Sequence, residues 1–185
     1  MIELDEATEP LLQQFFEDNP LFFQAVHGEL PQEGEAHQEI FDELPPGWSY
    51  TKKWVIGYLN YQGRMVAMAN VVSDANALNV WLLGTFIVAT EWHGSGKALA
   101  LYTGLEQWAM SHGATWLRLG VVVGHERAER FWARRGYVEI ARREGVAMGK
   151  RINALRVMVK SLYGQELKEY SELMARGRPT TPNAA

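Results

Sequence analysis

The sequence predicts a mixed α/β (α+β) fold, a central sheet covered by helices on both faces. Three observations predict it. Near Trp54 the apolar pattern changes from helical spacing to β-like runs, and beyond it strands and helices alternate. Residues 80–89 are almost continuously apolar, as a strand covered on both faces is. The chain has 185 residues with 47% hydrophobic content, enough for roughly one domain with its own core.

In order, residues 8–18 form a helix, with Pro10 in its first turn and Leu11, Leu12, Phe15 and Phe16 at helical spacing. Asn19-Pro20 breaks it, and residues 21–26 make a further helical turn. Residues 31–34 form a loop, and 36–44 a helix that Pro45-Pro46-Gly47 ends. Strands follow at 54–61 and 64–73, joined through Gln62-Gly63. After a turn at Asp74-Ala75-Asn76 come the strand 80–89, a helix over 99–110 stopped by Gly113, and a strand over 115–123. A helix spans 126–135 and is closed by Gly136. Residues 137–141 and 154–160 are read as strands joined by a loop bearing Gly and Arg. Residues 165–176 carry Leu167, Tyr170, Leu173 and Met174 at helical spacing, a docked amphipathic helix, and 177–185 are expected to be a disordered tail. The organisation expected is one domain over 1–163, made of a helical arm (1–50) and a core (54–163), followed by the C-terminal helix (164–176).

Composition removes several kinds of chemistry. There is no Cys, so disulfides, zinc–thiolate sites, iron–sulfur clusters and Cys nucleophiles are excluded, and a cytoplasmic location is expected. No apolar run approaches the ~18 residues of a membrane span, and the acidic N-terminus argues against a signal peptide. His27, His37 and His112 are dispersed, and no His/Asp/Glu cluster has metal-ligand spacing, so no metal is expected. The net charge of −4 hides a split. Residues 1–44 hold twelve acids and no Lys or Arg, leaving ten acids against eighteen bases in the remainder. Either the arm neutralises the body or the two surfaces meet different partners.

The most informative segment is His93-Gly94-Ser95-Gly96-Lys97-Ala98, placed between a buried strand and a helix. Such a turn holds an anion: free N–H groups and the helix dipole face outward, and glycine lets backbone approach a phosphate. It is not a P-loop, because Glu91 and Ala98 stand where a Gly and the Mg²⁺-binding Ser or Thr are required. It is not the dinucleotide fingerprint either, since Leu99 replaces the third Gly.

With its preceding strand, this segment resembles the acyl-CoA pyrophosphate motif of the GNAT superfamily of N-acetyltransferases, Arg/Gln-x-x-Gly-x-Gly/Ala. His93 stands at the Arg/Gln position, Gly96 at the central Gly and Ala98 at the Gly/Ala. A second block, from His125 through Ala128 and Trp132 to Gly136-Tyr137, resembles the family's Asn-x-x-Ala-x-x-x-Tyr-x-x-x-Gly-Phe. Residues 153–160 are similar to the family's last strand. The resemblance covers about residues 54–163.

The resemblance implies a largely antiparallel sheet whose fourth and fifth strands, 80–89 and 115–123 here, splay apart. Acetyl-CoA would enter that gap as co-substrate. Backbone groups of Phe86, Ile87 and Val88 would bond the pantetheine, and the N–H groups of Gly94, Ser95, Gly96, Lys97, Ala98 and Leu99 would bind the pyrophosphate. The Val88 N–H would be the oxyanion donor. His125 takes the family's Asn position near the cofactor and is a candidate proton carrier. Trp132 replaces the Tyr that protonates the leaving thiolate in many relatives, and indole N–H does not give up a proton near neutral pH. The Glu of strand five or strand four in other relatives is replaced by Gly120 and Leu82.

The implied activity is transfer of an acetyl group from acetyl-CoA to a primary amine of a small molecule or protein. A non-catalytic acyl-CoA-binding module is the alternative. Nucleic-acid binding through Arg127, Arg130, Arg134, Arg135, Arg142 and Arg143 is disfavoured, and no membrane partner is expected. The family is often dimeric, so a homodimer is possible. By resemblance the N-terminal helices border the acceptor side of the cleft. The acid-rich arm then predicts a cationic acceptor, with Glu33, Glu35, Glu39, Asp42 and Glu43 as the main contributors.

Overall fold

A computed structural model describes residues 1–177 of the chain. Seven strands form one sheet in the order β1-β2-β3-β4-β5-β7-β6. They are β1 (Ile2–Glu3), β2 (Lys53–Leu59), β3 (Met65–Val72), β4 (Val80–Val88), β5 (Trp116–Val122), β6 (Val138–Met148) and β7 (Arg151–Ser161). Every pairing is antiparallel except β4 with β5.

Helices cover both faces. The α1 (Glu9–Asp18), α2 (Leu21–Val26) and α3 (Glu35–Phe41) helices bury Leu12, Phe15, Phe16, Phe23 and Ala36 against Val55, Met68 and Ile87. On the other face, α4 (Lys97–Ser111) and α5 (Glu126–Arg134) pack Tyr102, Leu105 and Trp132 against Trp81, Leu83 and Leu119. Trp54, Trp81 and Trp108 meet there with ring centroids 5.1–5.6 Å apart. The α6 helix (Leu167–Arg176) buries Tyr170 against Trp116 and Val159. Gly177 caps α6 by donating to the Leu173 carbonyl; the rest of the predicted tail lies outside the described residues. Among the described residues no helix is long and apolar enough to cross a membrane.

One irregularity shapes the function. β4 pairs with β5 only through Val80–Leu83, opposite Trp116–Leu119. Asn70 then pairs with Thr85 and Val71 with Leu83, so Gly84 bulges out of the β3–β4 ladder. A bulge bends a strand and increases its twist. Beyond Gly84, β4 stays with β3, while Gly120, Val121 and Val122 of β5 stay with β7. The two strands diverge into the gap that the resemblance implied.

Two readings of the sequence need correction. The predicted loop over 142–153 is strand: β6 and β7 run on for eleven residues each to a tight turn at Gly149-Lys150. Its charged, Gly-containing sequence has little strand propensity, but tertiary contacts hold it. Lys150 N–H donates to the His27 carbonyl at 2.8 Å, Arg151 to the Ala25 carbonyl at 2.9 Å, and Asn153 to the Val26 carbonyl at 2.9 Å. The hairpin tip is thereby pinned to the end of α2. The edge strand β1 gives no sequence signal: it is two residues long, and Leu4 N–H extends it by donating to the Val55 carbonyl.

Candidate functional site

The Gly-rich turn follows β4 directly and leads into α4. Gly94 and Gly96 have φ of 78° and 82°, a left-handed conformation that side chains rarely tolerate. A Cβ at either position would meet no atom within 4 Å, so the backbone faces open space. Among the described residues the N–H groups of Gly94, Gly96 and Ala98 have no backbone acceptor. Across this opening lies one face of α5. Arg127, Arg130, Arg134 and Arg135 line a groove of about 500 Å³ with His93, Gly94, Gly96, Ala98 and Leu99. The Arg135 Nε is buried and lacks an acceptor among the described residues. Free N–H groups, a helix N-terminus and a guanidinium cluster together suit an anion. Arginines whose run on one helix fits, in sequence, either a solvated face or a phosphate contact converge here.

The groove continues into a cleft of about 240 Å³ in the gap between β4 and α5, lined by Phe86, Ile87, Val88, His93, His125, Arg127, Phe131 and Trp132. Asn19, Leu21 and Phe22 of the N-terminal arm also line it. Trp132 is 8% exposed and sits among Phe131, Tyr102, Tyr137 and Phe86, with ring centroids 4.9–5.9 Å away. It is an apolar wall. Behind it Tyr102 donates to Glu106 at 2.5 Å and stands 3.1 Å from the Tyr137 hydroxyl. Burial pushes both phenols well above their ordinary range.

His93 does more than shape the turn. Its Nε2 lies 2.9 Å from the Val88 carbonyl, and its Nδ1 lies 2.8 Å from the Arg127 guanidinium. Arg127 can only donate, so Nδ1 accepts and Nε2–H donates to Val88. Burial and then the Arg127 charge hold the His93 pKa below its ordinary value, which fits a neutral ring in that tautomer. The chain Arg127–His93–Val88 ties the anion groove to the end of β4. Burial and the same guanidinium also lower His125, against a smaller opposing effect of Glu129. His125 stands at the α5 N-cap without a side-chain capping bond, so its ring remains available to the cleft.

A second cleft opens on the α1/α3 face, lined by Glu35, Glu39, Asp42, Glu43, Lys53, Asn70, Leu82 and Gly84. Four of the five acids expected to act together meet here; Glu33 is not among the lining residues. Glu39 reaches across to the sheet and accepts from Asn70 Nδ2 at 2.7 Å, with the Thr85 side chain beside it. Burial pushes its carboxyl above the ordinary carboxylate range, offset only in part by Asn70, Thr85 and Lys53. Other arm acids are paired outside this cleft: Glu3 with Lys52, Asp18 with Arg64 and Glu29 with Lys150. In sequence Glu39 counts only as one charge among several. Its location is not visible there, because α3 and β4 meet only in the fold.

The fold and clefts define a class of protein: a sheet opened between two parallel strands, with a Gly-rich turn facing an Arg-lined groove at one end of the opening. The model of the acetyltransferase (GNAT) family matches residues 10–137, and the chain belongs to that family of acyltransferase enzymes. The match takes in the helical arm and ends before the β6–β7 hairpin. No curated protein matches the chain by sequence. Solved structures share the fold. Spermidine N-acetyltransferase from Vibrio cholerae, in complex with CoA and spermine, is 15% identical with a TM-score of 0.64, over 86% of this chain and 93% of that one. Ribosomal-protein-alanine N-acetyltransferase from Brucella melitensis is 20% identical with a TM-score of 0.63, over 87% and 98%. A GNAT acetyltransferase from Streptococcus pneumoniae is 16% identical with a TM-score of 0.61, over 86% and 96%.

Proposed function

We propose that the protein transfers an acetyl group from acetyl-CoA to a primary amine, and that the amine is cationic. The observation that carries this reading is the continuity of the gap beside β4 with the Arg-lined groove at the 94–99 turn. That shape suits a ligand with an extended neutral arm and a diphosphate at one end.

In this reading the pyrophosphate takes the free N–H groups of the turn, and Arg127, Arg130, Arg134 and Arg135 offset its charge. The pantetheine lies along the edge of β4 that β5 has left, bonding the backbone of Phe86, Ile87 and Val88 as an added strand does. Trp132 walls the arm and excludes water. The thioester reaches the end of β4, where the Val88 N–H stabilises the oxyanion. His93 holds that residue in place through the Val88 carbonyl. His125, its pKa lowered, is mostly neutral at pH 7 and able to take a proton from the reacting groups.

The acid cleft lies on the opposite face of β4 from Trp132, and the basic groove lies at the end of that strand. A polyanionic cofactor and a cationic amine are thus drawn to different sides of one strand. The reading is tested by following free thiol release from acetyl-CoA with spermidine, kanamycin and a lysine-containing peptide. Amine-dependent release supports it. Tight CoA binding without release with any amine favours a non-catalytic acyl-CoA-binding module.

A further inference from the structure

Of the catalytic candidates the sequence singled out, only His125 can carry a proton, and it stands in the cofactor cleft at the α5 N-cap. Trp132 gives up no proton near neutral pH, and Leu82 and Gly120 bear no acid, so these positions leave the acceptor amine without a base on its own side of β4. The structure supplies one from another element. Gly84 is the bulge at which β4 turns away from β5, and its missing side chain leaves room beside Asn70: a Cβ there would sit 3.7 Å from that amide. Glu39 of α3 lines the same cleft, hydrogen-bonded to Asn70 Nδ2 and beside Thr85. Thr85 immediately precedes Phe86, the first of the three residues whose backbone the cofactor arm follows. Val88 lies three positions on, roughly 10 Å along the strand. The thioester carbonyl held at Val88, the attacking amine nitrogen and one bridging water together span an interval of that size.

A second observation points to a ligand here. The Asn70 Oδ1 is buried and has no donor among the described residues. Donation of Nδ2 to the Glu39 carboxylate fixes which way the amide points. Its oxygen therefore waits for an N–H from something else, and a buried acceptor without a donor costs free energy. An ammonium group satisfies Oδ1 and the carboxylate together. Lys53 does not fill that role: its Nζ donates to the Asp42 carbonyl at 2.7 Å and makes no bond to Asn70 Oδ1.

We propose that Glu39 is the general base of the transfer and that Asn70 positions the amine against it. This assignment rests on the transferase reading. The ammonium gives one proton to the Glu39 carboxylate. The freed lone pair attacks the thioester carbon, and a C–N bond forms. The oxyanion collapses, the C–S bond breaks, and its electron pair leaves on sulfur. The second amine proton neutralises the thiolate, giving an amide and CoA thiol, and Glu39 returns its proton to water. The charged groups that act on it are Lys53 on β2 and Glu35 on α3, with Asn70 and Thr85 as neutral bonds; Asp42 and Glu43, just beyond α3, line the same cleft. Burial dominates and favours the protonated form, so the working carboxylate accumulates only above the ordinary carboxylate range.

The test compares the unsubstituted protein with Glu39→Gln and Glu39→Asp, using acetyl-CoA and whichever of spermidine, kanamycin or the lysine peptide reacts fastest. For Glu39→Gln we expect kcat/KM for the amine to fall ~10²–10⁴-fold at pH 7, the range of general base catalysis. CoA affinity should be unchanged, which also reports that the variant is folded. The pH profile of the unsubstituted protein should rise through an acidic limb that Glu39→Gln lacks, with the two rates converging at high pH. Glu39→Asp should keep the limb. A Glu39→Gln variant that binds CoA, works within threefold and keeps the limb overturns the assignment and leaves the transferase reading intact. Absence of thiol release from the unsubstituted protein with every amine overturns both.

Discussion

Ala98→Glu tests the anion site at its narrowest point. Ala98 is the second residue of α4 and lines the groove with Gly94, Gly96 and Arg127. A glutamate there suits the helix itself, since acids in a first turn interact favourably with the dipole by ~0.3–1 kcal/mol. The unliganded variant should therefore melt no lower than the parent. A bound diphosphate would feel the opposite effect. Unit charges ~4 Å apart repel by ~1 kcal/mol in bulk water and ~4 kcal/mol near a protein surface. With a second phosphate charge behind the first, the loss is at least ~2 kcal/mol, or about 30-fold in Kd. Ala98→Gln has similar bulk without charge and should lose less. Calorimetric titration with CoA at low and high salt separates the two effects, because only the charge contribution is screened. Ala98→Glu binding CoA within threefold of the parent at low salt would refute the placement of the pyrophosphate.

Three further outcomes are expected. Trp132→Phe should keep kcat within a few-fold, because the wall needs a ring rather than an N–H, whereas Trp132→Ala should cost ~3–5 kcal/mol of stability in denaturant titration; a ~10²-fold loss in kcat for Phe would give the indole a chemical role. Preference for cationic over anionic amines, read as the ratio of kcat/KM, should shrink with salt and with Glu35→Gln/Asp42→Asn; a ratio of one at all salts would remove the acid cleft from acceptor choice. Glu39 has a raised pKa in the folded state, so its contribution to stability declines as pH rises from the ordinary carboxylate range through that raised value. Glu39→Gln should therefore raise Tm at pH 7.5 and leave it nearly unchanged at pH 4; a lowered Tm at both would show that burial of the charge is not the dominant cost.

The parts of this fold that announce themselves in sequence are those where local pattern and tertiary role agree. The 80–89 run is apolar because β4 is covered on both faces, and the 93–98 turn carries two glycines because the backbone there is left-handed and faces open space. The outer half of the β6–β7 hairpin escapes a reading of the sequence because it is held by α2 rather than by its own side chains. In the candidate site, Phe86, Val88, Trp132 and the turn come from the family resemblance that the 93–98 and 125–137 segments carry. Arg127 is visible only as one of a helical run, and its bond to His93 depends on how α5 crosses the end of β4. Glu39 depends on more still: a helix that brings it to Asn70 from 31 residues upstream, at a cleft that Gly84 of the bulge also lines.

The most direct test of the central claim is a crystal structure of the protein with bound CoA. The account predicts the diphosphate on the N–H groups of residues 94–99, facing Arg127 and Arg130. It predicts the pantetheine along Phe86, Ile87 and Val88, and the thiol between Val88 and the Glu39 cleft. CoA seated away from the β4–β5 gap, or with its diphosphate at any other surface, would contradict it.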